Sequence, residues 1–154
     1  MGQRYGLEIR AAAGSDAPGL VALLADMGAS PVSPQALAGR IEAVARAGGT
    51  VLMAVEWGPP SGVVALQVVT DLVATHPAGL LVSLGVSPEA RRRGIGRLLI
   101  KAAARSARLA GCDRLVLPVA GLPPEVIAFG AATGFALENG VWARPLLRRG
   151  SSQD

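Results

Sequence analysis

The chain has 154 residues, 51% of them hydrophobic but only 3% aromatic. It is long enough to bury the core of one domain, and that core must be built from Ala, Val and Leu. One cysteine, Cys112, excludes an internal disulfide, and one histidine, His76, leaves little from which to build a metal centre, so no metal is expected. The formal charge of +4 invites a nucleic-acid partner. Against it, the bases are scattered except at Arg91–Arg93 and Arg148–Arg149, and rings for base stacking are almost absent, so no nucleic acid is expected.

No apolar run approaches the roughly eighteen residues that a membrane span requires. The first residues, Met1-Gly2-Gln3-Arg4-Tyr5-Gly6-Leu7-Glu8, lack the apolar segment of a signal peptide. A cytoplasmic protein without a membrane partner is expected.

In chain order, Tyr5–Arg10 reads as a first strand, with Tyr5, Leu7 and Ile9 alternating. Ser15-Asp16 offers a helix start, Leu20, Leu23, Leu24 and Met27 recur at helical spacing, and Gly28 ends the helix. A second helix opens at Ser33-Pro34, carries Leu37, Ile41 and Val44 on one face, and stops at Gly48-Gly49. Thr50–Trp57 and Val63–Val73 read as strands joined through the turn Gly58-Pro59-Pro60-Ser61-Gly62. Leu80–Val86 is apolar on both faces apart from Ser83, the pattern of a central strand, with Ser83 expected as a core hydroxyl. A long helix over Gly94–Ala110 ends at Gly111, and Asp113–Val119 reads as a strand parallel to the one before the helix. Pro123-Pro124-Glu125 starts a short helix running to Thr133. Phe135–Leu137 and Val141–Leu146 form a hairpin through Asn139-Gly140. Residues 1–147 thus read as a single domain and residues 148–154 as a polar, disordered tail.

The stretch Val86-Ser87-Pro88-Glu89-Ala90-Arg91-Arg92-Arg93-Gly94-Ile95-Gly96-Arg97-Leu98-Leu99 carries the chemistry. A strand runs into three arginines and two glycines and then into a helix. Helix first-turn N–H groups lack internal partners and carry partial positive charge, which suits a phosphate or pyrophosphate. The arginines add planar donor forks around it. A P-loop is excluded, because Arg97-Leu98 follow Gly96 where Lys-Ser or Lys-Thr is needed. A dinucleotide fingerprint is excluded too, since Leu99 stands in place of its third glycine.

What fits is Arg-x-x-Gly-x-Gly, read as Arg91, Gly94 and Gly96, after a strand ending Val86-Ser87-Pro88 and before Leu98-Leu99. It resembles the cofactor motif of the GNAT family of N-acetyltransferases. The element order β-α-α-β-β-β-α-β-α-β-β resembles that family from Tyr5 to Leu147. The resemblance implies an α/β (α+β) class, the acyl-CoA N-acyltransferase fold, with a mixed central sheet of six to seven strands and about four helices. It implies acetyl-CoA as cosubstrate, with Arg91, Arg92, Arg93, Gly94, Ile95, Gly96 and Arg97 at its pyrophosphate and Leu84, Gly85 and Val86 along its pantetheine. The reaction implied is acetyl transfer to a primary amine of a small molecule or peptide. Dimerisation is common in the family, and an exposed sheet edge would permit a homodimer.

The chain departs from that family where a tyrosine often protonates the leaving sulfur. The pattern Phe-Tyr-x-x-x-Gly-Phe reads here Phe129-Gly130-Ala131-Ala132-Thr133-Gly134-Phe135, with Gly130 at the tyrosine position. The asparagine that often begins that helix is also missing, with Pro123 at about its place. The alternative is therefore an acyl-CoA-binding regulatory module that catalyses little. Ser83, Asp71 and Glu56 are the candidates for a catalytic group, each more simply a core hydroxyl or a solvated strand face. His76 reads as a surface residue, Cys112 as a small core hydrophobe, and Trp57 and Trp142 as core cover.

Overall fold

The computed structural model describes residues 6–118, 124–138 and 141–146, with the backbone alone for 124–127. Tyr5, Pro123, Asn139-Gly140 and the tail after Leu146 lie outside the described residues. The strands are β1 (Glu8–Ala11), β2 (Thr50–Val55), β3 (Gly62–Val69), β4 (Ala78–Val86), β5 (Arg114–Leu117), β6 (Ala136–Glu138) and β7 (Val141–Pro145). The helices are α1 (Ala17–Asp26), α2 (Pro34–Arg46), α3 (Ile95–Leu109) and α4 (Pro124–Ala132). They occur in the expected order, and the strands form one seven-stranded sheet, β1-β2-β3-β4-β5-β7-β6. Every pairing is antiparallel except β4 with β5, whose single crossover is α3. Among the described residues no helix is long and apolar enough to cross a membrane.

Strand alternation divides the core between the two faces. Leu52, Ala54, Val64, Leu66 and Leu81 meet α3 through Ile95, Leu99, Ile100, Ala103, Ala104 and Ala107. Val51, Met53, Val63 and Ala65 meet Leu20 and Leu23 of α1 and Ile41 of α2. With so few aromatic rings, close approach substitutes for bulk. A Cβ on Gly62 would stand 2.9 Å from Leu99 Cδ1, and one on Gly79 would stand 3.1 Å from Ala107 Cβ. These two glycines let α3 lie directly on β3 and β4, its N-terminus at the Gly62 end and its C-terminus at the Gly79 end. Ser33 Oγ accepts the Ala36 N–H at 3.1 Å, starting α2 as its sequence predicts.

Three expectations are corrected. The third strand ends at Val69, not Val73: Asp71 Oδ1 accepts the N–H groups of Val73 (2.6 Å) and Ala74 (3.1 Å). That local turn competes with the ladder and leaves Leu72 and Val73 exposed. The second strand stops at Val55, and Trp57 is 78% exposed instead of covering core. Its ring lies across the backbone of Gly6, 3.0 Å from where a Cβ there would stand. Ser83 is exposed, not a core hydroxyl. Ala65 pairs with Ser83 and Leu66 with Leu81, so Val82 is an extra residue in β4. This bulge twists the second half of the strand out of the packed region.

Candidate active-site cleft

The cleft arises from what β4 lacks. Its pairing with β5 consists of Gly79 with Leu115 and Leu80 with Val116. Beyond Leu80 the two parallel strands separate, while β4 stays paired with β3 as far as Val86. Leu84, Gly85 and Val86 therefore border an opening on the β5 side. Ser87 and the short 3-10 turn Pro88–Ala90 carry the chain into the arginines. Gly94 then takes φ +80°, a left-handed conformation that glycine adopts without strain, and α3 starts at Ile95 with no side-chain cap. Its first-turn N–H groups are left for whatever occupies the opening.

A cavity of about 710 Å³ joins these parts. It is lined by Leu84, Gly85 and Val86 from β4, by Ala90, Arg91, Arg92 and Gly94 from the loop, and by Ile95, Gly96 and Arg97 of α3. Met27, at the end of α1, and Phe129 of α4 complete it. Of the ten residues expected at a cofactor, nine line this one cavity. Arg93 is the exception: its guanidinium turns to Glu56, with Nη2 2.5 Å from Oε2. Arg91 Nε donates to the Val86 carbonyl at 3.3 Å, and Arg97 Nη1 donates to the Ala132 carbonyl at 3.5 Å. The other described side chains of the lining are apolar, so the charged side chains gather at one end, as suits a long ligand with its anionic group there.

The three candidate catalytic groups are not brought together. Glu56 lies just past β2, and the hydrogen bond from Arg93 holds its carboxyl below the ordinary glutamate value, which makes it a weaker base. Asp71 follows the end of β3 that faces the start of β4, remote from the arginines. The Val73 and Ala74 N–H groups hold its carboxyl low as well. Ser83 is exposed in the bulged part of β4 and does not line the cavity. Gly130 is buried, and a Cβ there would meet Phe135 Cβ at 3.8 Å and Leu117 Cδ2 at 3.9 Å. These are ordinary contacts, so crowding at Cβ does not impose glycine there.

Three lining residues, Met27, Ala90 and Phe129, are not among those that the sequence marks as site residues. Met27 reads there only as part of a helix face, and no local signal announces that α1 ends above β4. Its side chain occupies the place where a Cβ on Gly85 would stand. Phe129 is visible as the first position of the short-helix pattern. A Cβ on Gly96 would meet its ring at 3.0 Å, a tight contact, so the close approach of α4 to α3 favours a small residue at position 96. His76, between β3 and β4, is partly buried at the end away from the arginines. Among the described residues, no three His, Cys, Asp or Glu side chains are grouped so as to hold a metal ion.

A parallel pair of strands that splays over a glycine- and arginine-lined helix N-terminus defines the acyl-CoA N-acyltransferase class of fold. The sequence profile of the Acetyltransferase (GNAT) family matches residues 22–135, and the chain belongs to that family. No protein of curated function matches it by sequence. An acetyltransferase of Trypanosoma brucei superposes with a TM-score of 0.74 at 24% identity, covering 86% of this chain and 94% of that one. The ribosomal-protein-S18-alanine N-acetyltransferase of Escherichia coli superposes with a TM-score of 0.71 at 20% identity, covering 96% and 99%. An aminoglycoside acetyltransferase from an uncultured soil metagenomic sample, in complex with sisomicin, gives a TM-score of 0.68 at 18% identity, covering 83% and 87%. At these identities the likeness is one of fold, and the same fold serves a protein alanine and an aminoglycoside alike.

Proposed function

We propose that this chain transfers an acetyl group from acetyl-CoA to a primary amine of a small molecule or peptide. The observation that carries the reading is the continuous cavity that joins the helix N-terminus at Gly94 to the unpaired side of β4 at Leu84. Acetyl-CoA would supply an activated acetyl thioester. The N–H groups at the start of α3, with Arg91, Arg92 and Arg97, would hold its pyrophosphate. Leu84, Gly85 and Val86 would offer backbone groups to the pantetheine amides, and Met27 would exclude water on the opposite side. N–H groups of the bulged segment near Leu84 and Gly85 would polarise the thioester carbonyl.

Among the described residues no carboxylate lines the cavity, and water, or an amine whose pKa is lowered by apolar surroundings, would serve for deprotonation. The sulfur leaves without a tyrosine at position 130. A thiol with a pKa near 8.5 is a tolerable leaving group, and the lost acid catalysis costs roughly 10²–10⁴-fold in rate. Gly130 also favours a second reading, an acyl-CoA-binding module that turns over little.

Calorimetry with acetyl-CoA, with adenosine 3′,5′-bisphosphate as control, tests the shared part of both readings. Binding on the order of micromolar, about −8 kcal/mol, to acetyl-CoA and much weaker binding to the control is expected. Failure to bind overturns both. A thiol-release assay over a panel of amines then separates them, since a regulatory module binds but releases no thiol.

A further inference from the structure

Three arginines stand in a row, and they do different things. Arg91 and Arg92 line the cavity, while Arg93 does not. Arg93 pairs instead with Glu56, which begins the turn from β2 to β3 and whose side chain is only 18% exposed. On the other flank of the loop, Arg91 Nε is bonded to the last carbonyl of β4, that of Val86. Between these two tethers Arg92 takes φ +67°, the one positive φ of a non-glycine residue among the described residues. A left-handed conformation costs such a residue about 1–2 kcal/mol. It persists only where the surroundings over-determine it, and such strain gathers at functional sites. The tethers at Arg91 and Arg93 are those surroundings.

Resting on the cofactor reading above, we propose that Glu56 is a positioning residue of the anion loop. Through Arg93 it fixes the backbone between Pro88 and Gly94, so that Arg92 and the N-terminus of α3 converge on one anion. It also neutralises one of three adjacent guanidinium groups, which would otherwise repel each other while no phosphate is bound. Arg93 is then a strut and not a phosphate ligand.

The test titrates acetyl-CoA into the wild-type protein, Glu56→Gln, Arg93→Gln and the double variant. Each single substitution is expected to raise Kd about tenfold, in the range of coupling within one shared network, and the double variant no further. Reversing the pair, as Glu56→Arg with Arg93→Glu, is expected to restore most of the affinity, which a merely structural loss of packing would not allow. Amide exchange across residues 90–96 of the ligand-free protein is expected to quicken in Glu56→Gln. That readout needs no ligand, so a wild-type protein that fails to bind acetyl-CoA overturns the cofactor reading without obscuring the loop. Unchanged or tighter binding by Glu56→Gln, or unchanged exchange, overturns the strut. An Arg93→Gln defect that exceeds Glu56→Gln and adds to it would make Arg93 a direct ligand.

Discussion

The two halves of β4 share one strand and one composition, yet one half is core and the other is site. In the first, Ala78, Gly79 and Leu81 are buried, and the strand is paired on both sides, to β3 and to β5. In the second, Leu84, Gly85 and Val86 keep β3 and lose β5, and the cavity takes the vacant side. Neither half is special in its residues. The difference comes from the bulge at Val82 and from β5 diverging, so a packed strand becomes a binding strand by losing a neighbour. The closed half should answer mutation in stability, and the open half with its loop should answer in affinity.

The largest effect is expected at the loop that terminates the open half. Gly94→Val places a β-branched residue at φ +80°, a conformation that such residues avoid, and adds atoms at the cavity wall. Acetyl-CoA affinity should fall at least about a hundredfold, some 2.8 kcal/mol. Melting should report a stability loss of only about 1–2 kcal/mol, the cost of a left-handed residue. A folded variant that binds normally would remove Gly94 from the site.

A matched pair inside β4 sharpens the comparison. Gly79→Ala drives a Cβ to 2.9 Å from Leu66 Cδ1 and 3.1 Å from both Ala107 Cβ and Leu115 Cδ2. All three belong to a packed core, so denaturant unfolding should show a loss of about 1–3 kcal/mol. Gly85→Ala meets only the flexible end of Met27, which can swing aside with a stability change within about 0.5 kcal/mol. It narrows the cleft instead, so affinity should drop and Met27→Ala in the same chain should recover it. Equal stability losses at the two glycines would dissolve the division.

How much of this was legible in the sequence depends on whether a signal was local. The order of all eleven elements is readable, because caps and breakers such as Ser33-Pro34, Gly28 and Gly111 act within a few residues. The anion loop is readable for the same reason, since Gly94 and the arginines form one continuous stretch. Hydrophobicity alone misleads at Leu72 and Val73, where the Asp71 carboxylate outcompetes strand pairing. The exposure of Ser83 depends on a register shift against β3, which no run of residues in β4 announces. Arg93 looks like its neighbours until the turn after β2 brings Glu56 to it, and Met27 becomes a wall only when α1 is laid over β4. These are contacts between distant segments, and the sequence near each residue carries no trace of them.

The smallest expected effect of pH lies beside the closed half, at Cys112. It follows α3, is fully buried with its N–H donated to the Ala107 carbonyl at 2.9 Å, and leads directly into β5. Burial first, and then the nearby Asp113 charge, push its thiol pKa up. The folded chain thus keeps the proton that the unfolded chain gives up in the ordinary thiol range. Stability should decline slightly as pH rises through that range, with no effect below it. Cys112→Ala should cost about 1 kcal/mol for the sulfur-sized gap. In the native protein a disulfide reagent at pH 8 should find no reactive thiol until denaturant is added, so that any thiol released during turnover belongs to the cosubstrate. Immediate reaction would mean that the start of β5 opens readily. Since β5 is what closes the first half of β4, the sealed half would then be no more sealed than the cleft.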